Sequence, residues 1–132
     1  MRTVNGVMER MATEPRLETP LRVLVVDDSE DQRDLLRTYL EKAGCTVVAV
    51  PNAEDAIASY LLETPQVAII DLLLPGINGW ELVRKLRHDR PECAIVVSSV
   101  LDLADYPDAE AFLPKPFTRA QILQVLKDCV PE

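Results

Sequence analysis

A chain of 132 residues that is 48% hydrophobic and only 5% aromatic supports one domain with a largely aliphatic core. Its formal net charge of -8 argues against nonspecific nucleic-acid binding, which needs a basic face, and disfavours an anionic membrane surface. No apolar run approaches the ~20 residues of a membrane span, and the mixed-charge N-terminus does not read as a signal peptide, so a cytoplasmic protein is expected.

Met1 to about Pro20 has little periodicity, several charges and two prolines, and reads as a flexible leader (1–20) ahead of a domain at 21–130. Arg22–Val26 is an apolar run expected to form the first strand. Ser29 then looks like an N-cap with Gln32 as its capping-box partner, and Leu35, Leu36, Tyr39 and Leu40 make the apolar face of a helix that Gly44 ends. Thr46–Val50 is the second strand. Asn52 caps a helix whose Ala53, Ala56, Ile57, Tyr60 and Leu61 share one side. Val67–Ile70 is the third strand, followed by a tight loop marked by Pro75-Gly76 and Asn78-Gly79. Trp80, Leu82, Val83 and Leu86 lie along the third helix. Ala94–Val97 is the fourth strand and Ala111–Leu113 a short fifth. Thr118 and Gln121 form a second capping box before a last helix carrying Ile122, Leu123, Val125 and Leu126.

Strands alternating with helices through right-handed crossovers give a doubly wound parallel α/β sheet. In such sheets ligands bind outside the carboxyl ends of the strands. Four apolar runs here end in polar signals: Asp27-Asp28, Asp71, Ser98-Ser99 and Lys115-Pro116. Asp-Asp after a strand is by itself often only a turn and a cap. The conjunction of all four at strand ends is much harder to produce by accident.

The chemistry follows from the residue types. Asp27, Asp28 and Asp71 crowd negative charge into one place, which raises carboxylate pKa values or demands a counter-ion. Mg²⁺ fits, because it takes oxygen ligands and shares them with phosphate. Asp71, alone at a strand end before a glycine-containing loop, is the best candidate for a carboxylate nucleophile that forms an aspartyl-phosphate. Lys115 can neutralise a transferring phosphoryl group and Ser98 can donate a hydrogen bond to it. Pro116 offers a cis peptide after Lys115. The three cysteines (Cys45, Cys93, Cys129) are far apart and read as reduced, partly buried thiols; His88, the only histidine, reads as a helix-end surface residue.

From Leu21 to about Val130 the chain resembles the receiver domain of two-component response regulators. The carrying stretches are V-L-V-V-D-D-S, I-I-D-L-L-L-P-G-I-N-G-W-E-L, V-V-S-S and F-L-P-K-P-F. The resemblance implies a flavodoxin-like sheet of five strands in the order 2-1-3-4-5, with Asp71 as phospho-acceptor. It implies Mg²⁺ held by Asp28, Asp71 and the backbone carbonyl of Leu73, with Asp27 acting through water. Ser98 and Phe112 would be the switch residues, with a histidine kinase or histidine phosphotransfer protein as phosphoryl donor and an unknown protein as downstream target. Direct nucleic-acid and membrane binding are not expected. Such a domain promotes only its own phosphorylation and dephosphorylation and is not otherwise an enzyme. With the chain ending straight after the last helix, a stand-alone switch is expected.

Two departures from the family pattern stand out. The stretch between Ser98 and Lys115 is several residues short, contains Pro107 and the acids Asp102, Asp105, Asp108 and Glu110, and shows no helical face. A short, distorted or absent fourth helix is expected. Leu73 and Val100, each two positions beyond a reacting residue, are apolar, which predicts slow self-dephosphorylation because neither can orient water. A metal-dependent phosphohydrolase working through Asp71 and a pseudo-receiver with an idle pocket are the competing readings.

Overall fold

The computed structural model describes residues 20–130; the expected leader at 1–20 thus lies outside the described residues except for Pro20. The elements in chain order are β1 (Arg22–Val26), α1 (Glu30–Lys42), β2 (Thr46–Val50), α2 (Ala53–Leu62), β3 (Val67–Asp71), α3 (Gly79–Asp89), β4 (Ala94–Ser98), a single 3₁₀ turn (Leu103–Asp105), β5 (Ala111–Phe112) and α4 (Arg119–Cys129). The strands form one five-stranded sheet in the order β2-β1-β3-β4-β5, with every pairing parallel. This is the expected order 2-1-3-4-5.

The central strands β1, β3 and β4 are apolar except at an end residue (Arg22, Asp71 and Ser98) because both of their faces are covered. Alternation then decides which layer each residue enters. Leu24, Val26, Ala68 and Ile70 pack with Ala53, Ala56 and Tyr60 of α2 and with Leu82, Val83 and Leu86 of α3. Val23, Val25, Val67 and Ile69 pack on the opposite face with Leu36 and Leu40 of α1 and Ile122, Val125 and Leu126 of α4. Leu61 is an exception to the expected stripe, being 52% exposed. It sits about 100° around the helix from Tyr60, beyond the face that meets the sheet.

The helix caps follow the sequence with one correction. Asn52, Asn78 and Thr118 each accept from the backbone N–H three residues on, and Thr118 with Gln121 completes a reciprocal box. Ser29 accepts from the Gln32 N–H at 3.3 Å, but Gln32 does not reciprocate. The Ser29 N–H that it would bind already donates to Asp27 Oδ1 at 2.9 Å, and Gln32 Oε1 is left buried without a partner among the described residues. Gly44 ends α1 with φ +95°, a conformation that favours glycine.

Strands β3 and β4 each extend one residue further than expected, to Asp71 and Ser98, and β5 stops one short, at Phe112. Between β4 and β5 no α-helix forms. Pro107 lacks an N–H, and Tyr106 before it is extended (φ -75°, ψ 141°), as the residue preceding a proline favours. The segment is tied instead to α3. Trp80 Nε1 donates to the Asp105 carbonyl at 2.9 Å, and Arg87 donates to the Asp108 carbonyl and to Glu110 Oε2, both at 3.1 Å.

Gly79 opens α3 against the end of β3. A Cβ there would lie 2.3 Å from the Asp71 carbonyl oxygen and 2.5 Å from Leu72 Cα, both backbone atoms. Gly79→Ala should therefore lower stability by about 1–3 kcal/mol through forced backbone shifts, outweighing alanine's better helix propensity. Urea unfolding checks this; a variant as stable as wild type would show that the strand end yields without cost.

Candidate functional site

The sheet register brings the polar strand ends together. Asp71 pairs with Ser98 across β3 and β4, and Val26, just before Asp27, pairs with Ile70, just before Asp71. Asp27 and Asp71 are buried, at 2% and 6% exposure, while Asp28 is exposed. One carboxylate oxygen from each of these three acids lies within 4.8 Å of the others.

Lys115 enters from beyond β5. Its Nζ lies 2.7 Å from Asp27 Oδ2 and 3.2 Å from Asp71 Oδ2. The Lys115–Pro116 peptide is cis. The remaining oxygens are also engaged: Asp27 Oδ1 accepts from the Ser29 N–H, and Asp71 Oδ1 from the Leu73 N–H at 3.1 Å. The Arg33 guanidinium donates to the Asp27 carbonyl at 2.9 Å, fixing the backbone of the acidic pair.

Burial pushes the Asp71 carboxyl above the usual range, and the charge on Asp27 adds to this; the Leu73 N–H and Lys115 oppose it without cancelling it. Burial works to lower the Lys115 ammonium, but the hydrogen bond and charge of Asp27, reinforced by Asp71, outweigh it and push that group up. Asp27 and Asp71 thus share one lysine, with Asp28 beside them, and the candidate metal ligands among these side chains are all carboxylate oxygens. This set suits a small hard divalent cation and leaves Asp71 as a strand-end carboxylate beside an ammonium.

Ser98 stands next to Asp71 but its hydroxyl donates to the Leu113 carbonyl at 2.7 Å, across β4 towards the end of β5. Phe112 is 43% exposed, with its ring edge-on to Tyr106 at 5.6 Å. Leu73 and Val100 are exposed apolar side chains at the rim. His88 is exposed near the end of α3, and the three cysteines are free thiols. Burial pushes Cys93 up to about 12 and Cys129 up to about 11.

Sequence reasoning did not assign a site role to Ser99 or Tyr106. Ser99 is fully buried, and its carbonyl accepts both the Lys115 N–H at 2.9 Å and the Tyr106 hydroxyl at 2.7 Å. A backbone carbonyl leaves no signal in sequence, and Tyr106 lies in a stretch without periodicity.

A five-stranded parallel doubly wound sheet with acids, a hydroxyl and a lysine at its carboxyl edge places the chain among flavodoxin-like α/β domains. The response regulator receiver domain family matches residues 23–127, and the chain belongs to that family. It is 32% identical to the protein PilH of Pseudomonas aeruginosa over 113 residues, covering 80% of this chain and 93% of that one. The sensory/regulatory protein RpfC of Xanthomonas campestris is 33% identical over 118 residues, but the match spans 82% of this chain and only 16% of RpfC. A probable transcriptional regulator of Guillardia theta is likewise matched over 44% of its length. Among solved structures, the chemotaxis response regulator CheY4 of Vibrio cholerae superposes with a TM-score of 0.79 at 25% identity, covering 85% of this chain and all of that one. Among the described residues no helix is long and apolar enough to cross a membrane.

Replacing Lys115 by methionine strands two buried carboxylates. Lys115→Met should cost about 3–5 kcal/mol of stability at neutral pH without divalent cations. A carboxyl whose pKa is raised in the folded state adds stability below its unfolded pKa, and this is lost as pH rises through the folded value. With the ammonium gone, Asp71 moves further in that direction. The gap between variant and wild type should therefore narrow at about pH 5. Urea unfolding at both pH values tests this, and a gap that widens on acidification contradicts it.

Proposed function

We propose that this receiver domain is a phosphorylation-controlled signalling switch whose acceptor is Asp71. The observation that carries the reading is the placement of the Lys115 ammonium 2.7 Å from Asp27 and 3.2 Å from Asp71 at the carboxyl edge of the sheet. The donor is a phosphohistidine on a histidine kinase or histidine phosphotransfer protein. An Asp71 carboxylate oxygen attacks phosphorus; the new P–O bond forms as the donor's P–N bond breaks, and the imidazole leaves with the electron pair and takes up a proton. Catalysis is then positioning and charge stabilisation.

Mg²⁺ fits the residues present. Asp28, exposed and carrying no ion pair or hydrogen bond on its carboxylate among the described residues, would hold it with Asp71 and the Leu73 carbonyl. Both Asp27 oxygens are already engaged, one by Lys115 and one by the Ser29 N–H, which supports its acting through water. When bound, the ion supplies charge neutralisation for the phosphoryl oxygens. Lys115, bonded to Asp71 Oδ2, supplies a second positive charge. Ser98 must give up the Leu113 carbonyl to donate to the phosphoryl group, and that exchange links modification to β5, where Phe112 is free to turn inward. A phosphoryl group changes partner binding only through contacts that differ between the two states. The domain acts in the cytoplasm, meets protein partners rather than nucleic acid, and promotes no reaction other than its own phosphorylation and dephosphorylation.

Incubation with acetyl phosphate and Mg²⁺, followed by intact mass, should show one added phosphoryl group. The adduct should be absent in Asp71→Asn and abolished by a chelator; persistence in Asp71→Asn would sink the assignment. Phospho-Asp71 should also be long-lived, because exposed Leu73 and Val100 offer no polar group to orient attacking water. Leu73→Asn should speed its decay roughly several-fold, followed by loss of the mass adduct over time, and an unchanged or slower decay rules this account out.

A further inference from the structure

The segment joining β4 to β5 has no α-helix, yet it borders the reacting residues, so something else must hold it. Tyr106 does so through the backbone of a single residue, Ser99. Its hydroxyl donates to the Ser99 carbonyl at 2.7 Å and accepts from the Ser99 N–H at 3.0 Å. The same carbonyl accepts the Lys115 N–H at 2.9 Å. Ser99 is 0% exposed, so no water competes for these bonds. One buried carbonyl therefore joins the tyrosine to the backbone of the lysine whose Nζ bridges Asp27 and Asp71.

The Ser99 N–H lies in the peptide that joins it to Ser98, so this clamp also fixes the strand end that carries the hydroxyl. On its other side the Tyr106 ring meets Phe112 edge-on, at 5.6 Å and 71°. Burial raises the pKa of the Tyr106 phenol, its bond to Ser99 opposes this, and the charges on Asp71 and Lys115 both reach it. The side chain thus touches three parts of the site: the Ser98-Ser99 strand end, the Lys115 backbone through Ser99, and Phe112.

We propose that Tyr106 is a positioning residue for phosphoryl transfer, acting through the Ser99 backbone to set Lys115 and Ser98 against Asp71. This rests on Asp71 being the acceptor. Tyr106 touches no reacting atom in this arrangement, so its effect is on the geometry of groups that do. Tyr106→Phe removes the hydroxyl and keeps the ring against Phe112 and the core.

The test compares wild type, Tyr106→Phe and Trp80→Phe in initial-rate phosphorylation by acetyl phosphate at saturating Mg²⁺, across a range of acetyl phosphate concentrations. Trp80→Phe deletes a hydrogen bond to the same segment, at Asp105, without touching Ser99. Tyr106→Phe should lower the saturating rate about tenfold while the half-saturating concentration stays within about twofold. Trp80→Phe should keep both within about twofold of wild type. Equal rates for wild type and Tyr106→Phe overturn the proposal. So does an equal slowing in both variants, which would mean general loosening of the segment. Absence of any adduct on wild type overturns the acceptor reading and this proposal with it, and the wild-type arm alone reveals that case.

Discussion

The arrangement depends on one partly buried ammonium shared by two buried carboxylates. Lys115 meets Asp27 and Asp71 from 88 and 44 residues away in sequence. The three can meet only when β1, β3 and the segment after β5 are all in place, so the contact tests the whole sheet rather than one element. Burial and the charge on Asp27 both push the Asp71 carboxyl up, and the lysine opposes them. Burial alone would push the lysine down, and the two carboxylates reverse this. The charges are tolerable only together, which is why the site is assembled at a sheet edge with fixed register rather than on mobile loops.

The backbone around this triad is held with unusual economy. Ser29 and Leu73 N–H groups, each two residues beyond the acid they serve, orient Asp27 and Asp71. Arg33 reaches back from α1 to the carbonyl between the paired acids. Gly79 lets α3 begin in contact with the β3 terminus, where any side chain would collide with backbone. The acidic edge is thereby preformed, while Ser98 remains bonded to Leu113 and Phe112 remains half-exposed. On the proposed reading the parts that must move lie on the β4–β5 side and the parts that must stay lie on the β1–β3 side.

Much of this was legible in the chain. Buried parallel strands read as unbroken apolar runs, and the polar residue ending each run marked the site edge; Asp27, Asp28, Asp71, Ser98 and Lys115 were all found this way. Pro107 and the lack of a helical face announced the missing helix between β4 and β5. What escaped was tertiary. Gln32 has the right spacing for a reciprocal cap, but Asp27 had already taken the N–H it needed. Leu61 has helical spacing, but the width of a buried stripe depends on where the helix sits on the sheet. Ser99 was noticed for its hydroxyl, whereas its carbonyl makes the contact with Lys115, and main-chain groups are the same for every residue type.

The outer end of the sheet carries a further consequence. Strand β5 is only two residues long, so Ile95 on β4 would present an unpaired N–H to any passing extended chain. Glu110 covers it: its Oε1 accepts that N–H at 2.7 Å, its own N–H donates to the Ile95 carbonyl at 2.9 Å, and Arg87 holds its other oxygen. A carboxylate in place of a strand satisfies the ladder and repels further pairing. The sheet thereby completes the ladder along β4 with one side chain where a longer β5 would otherwise be needed.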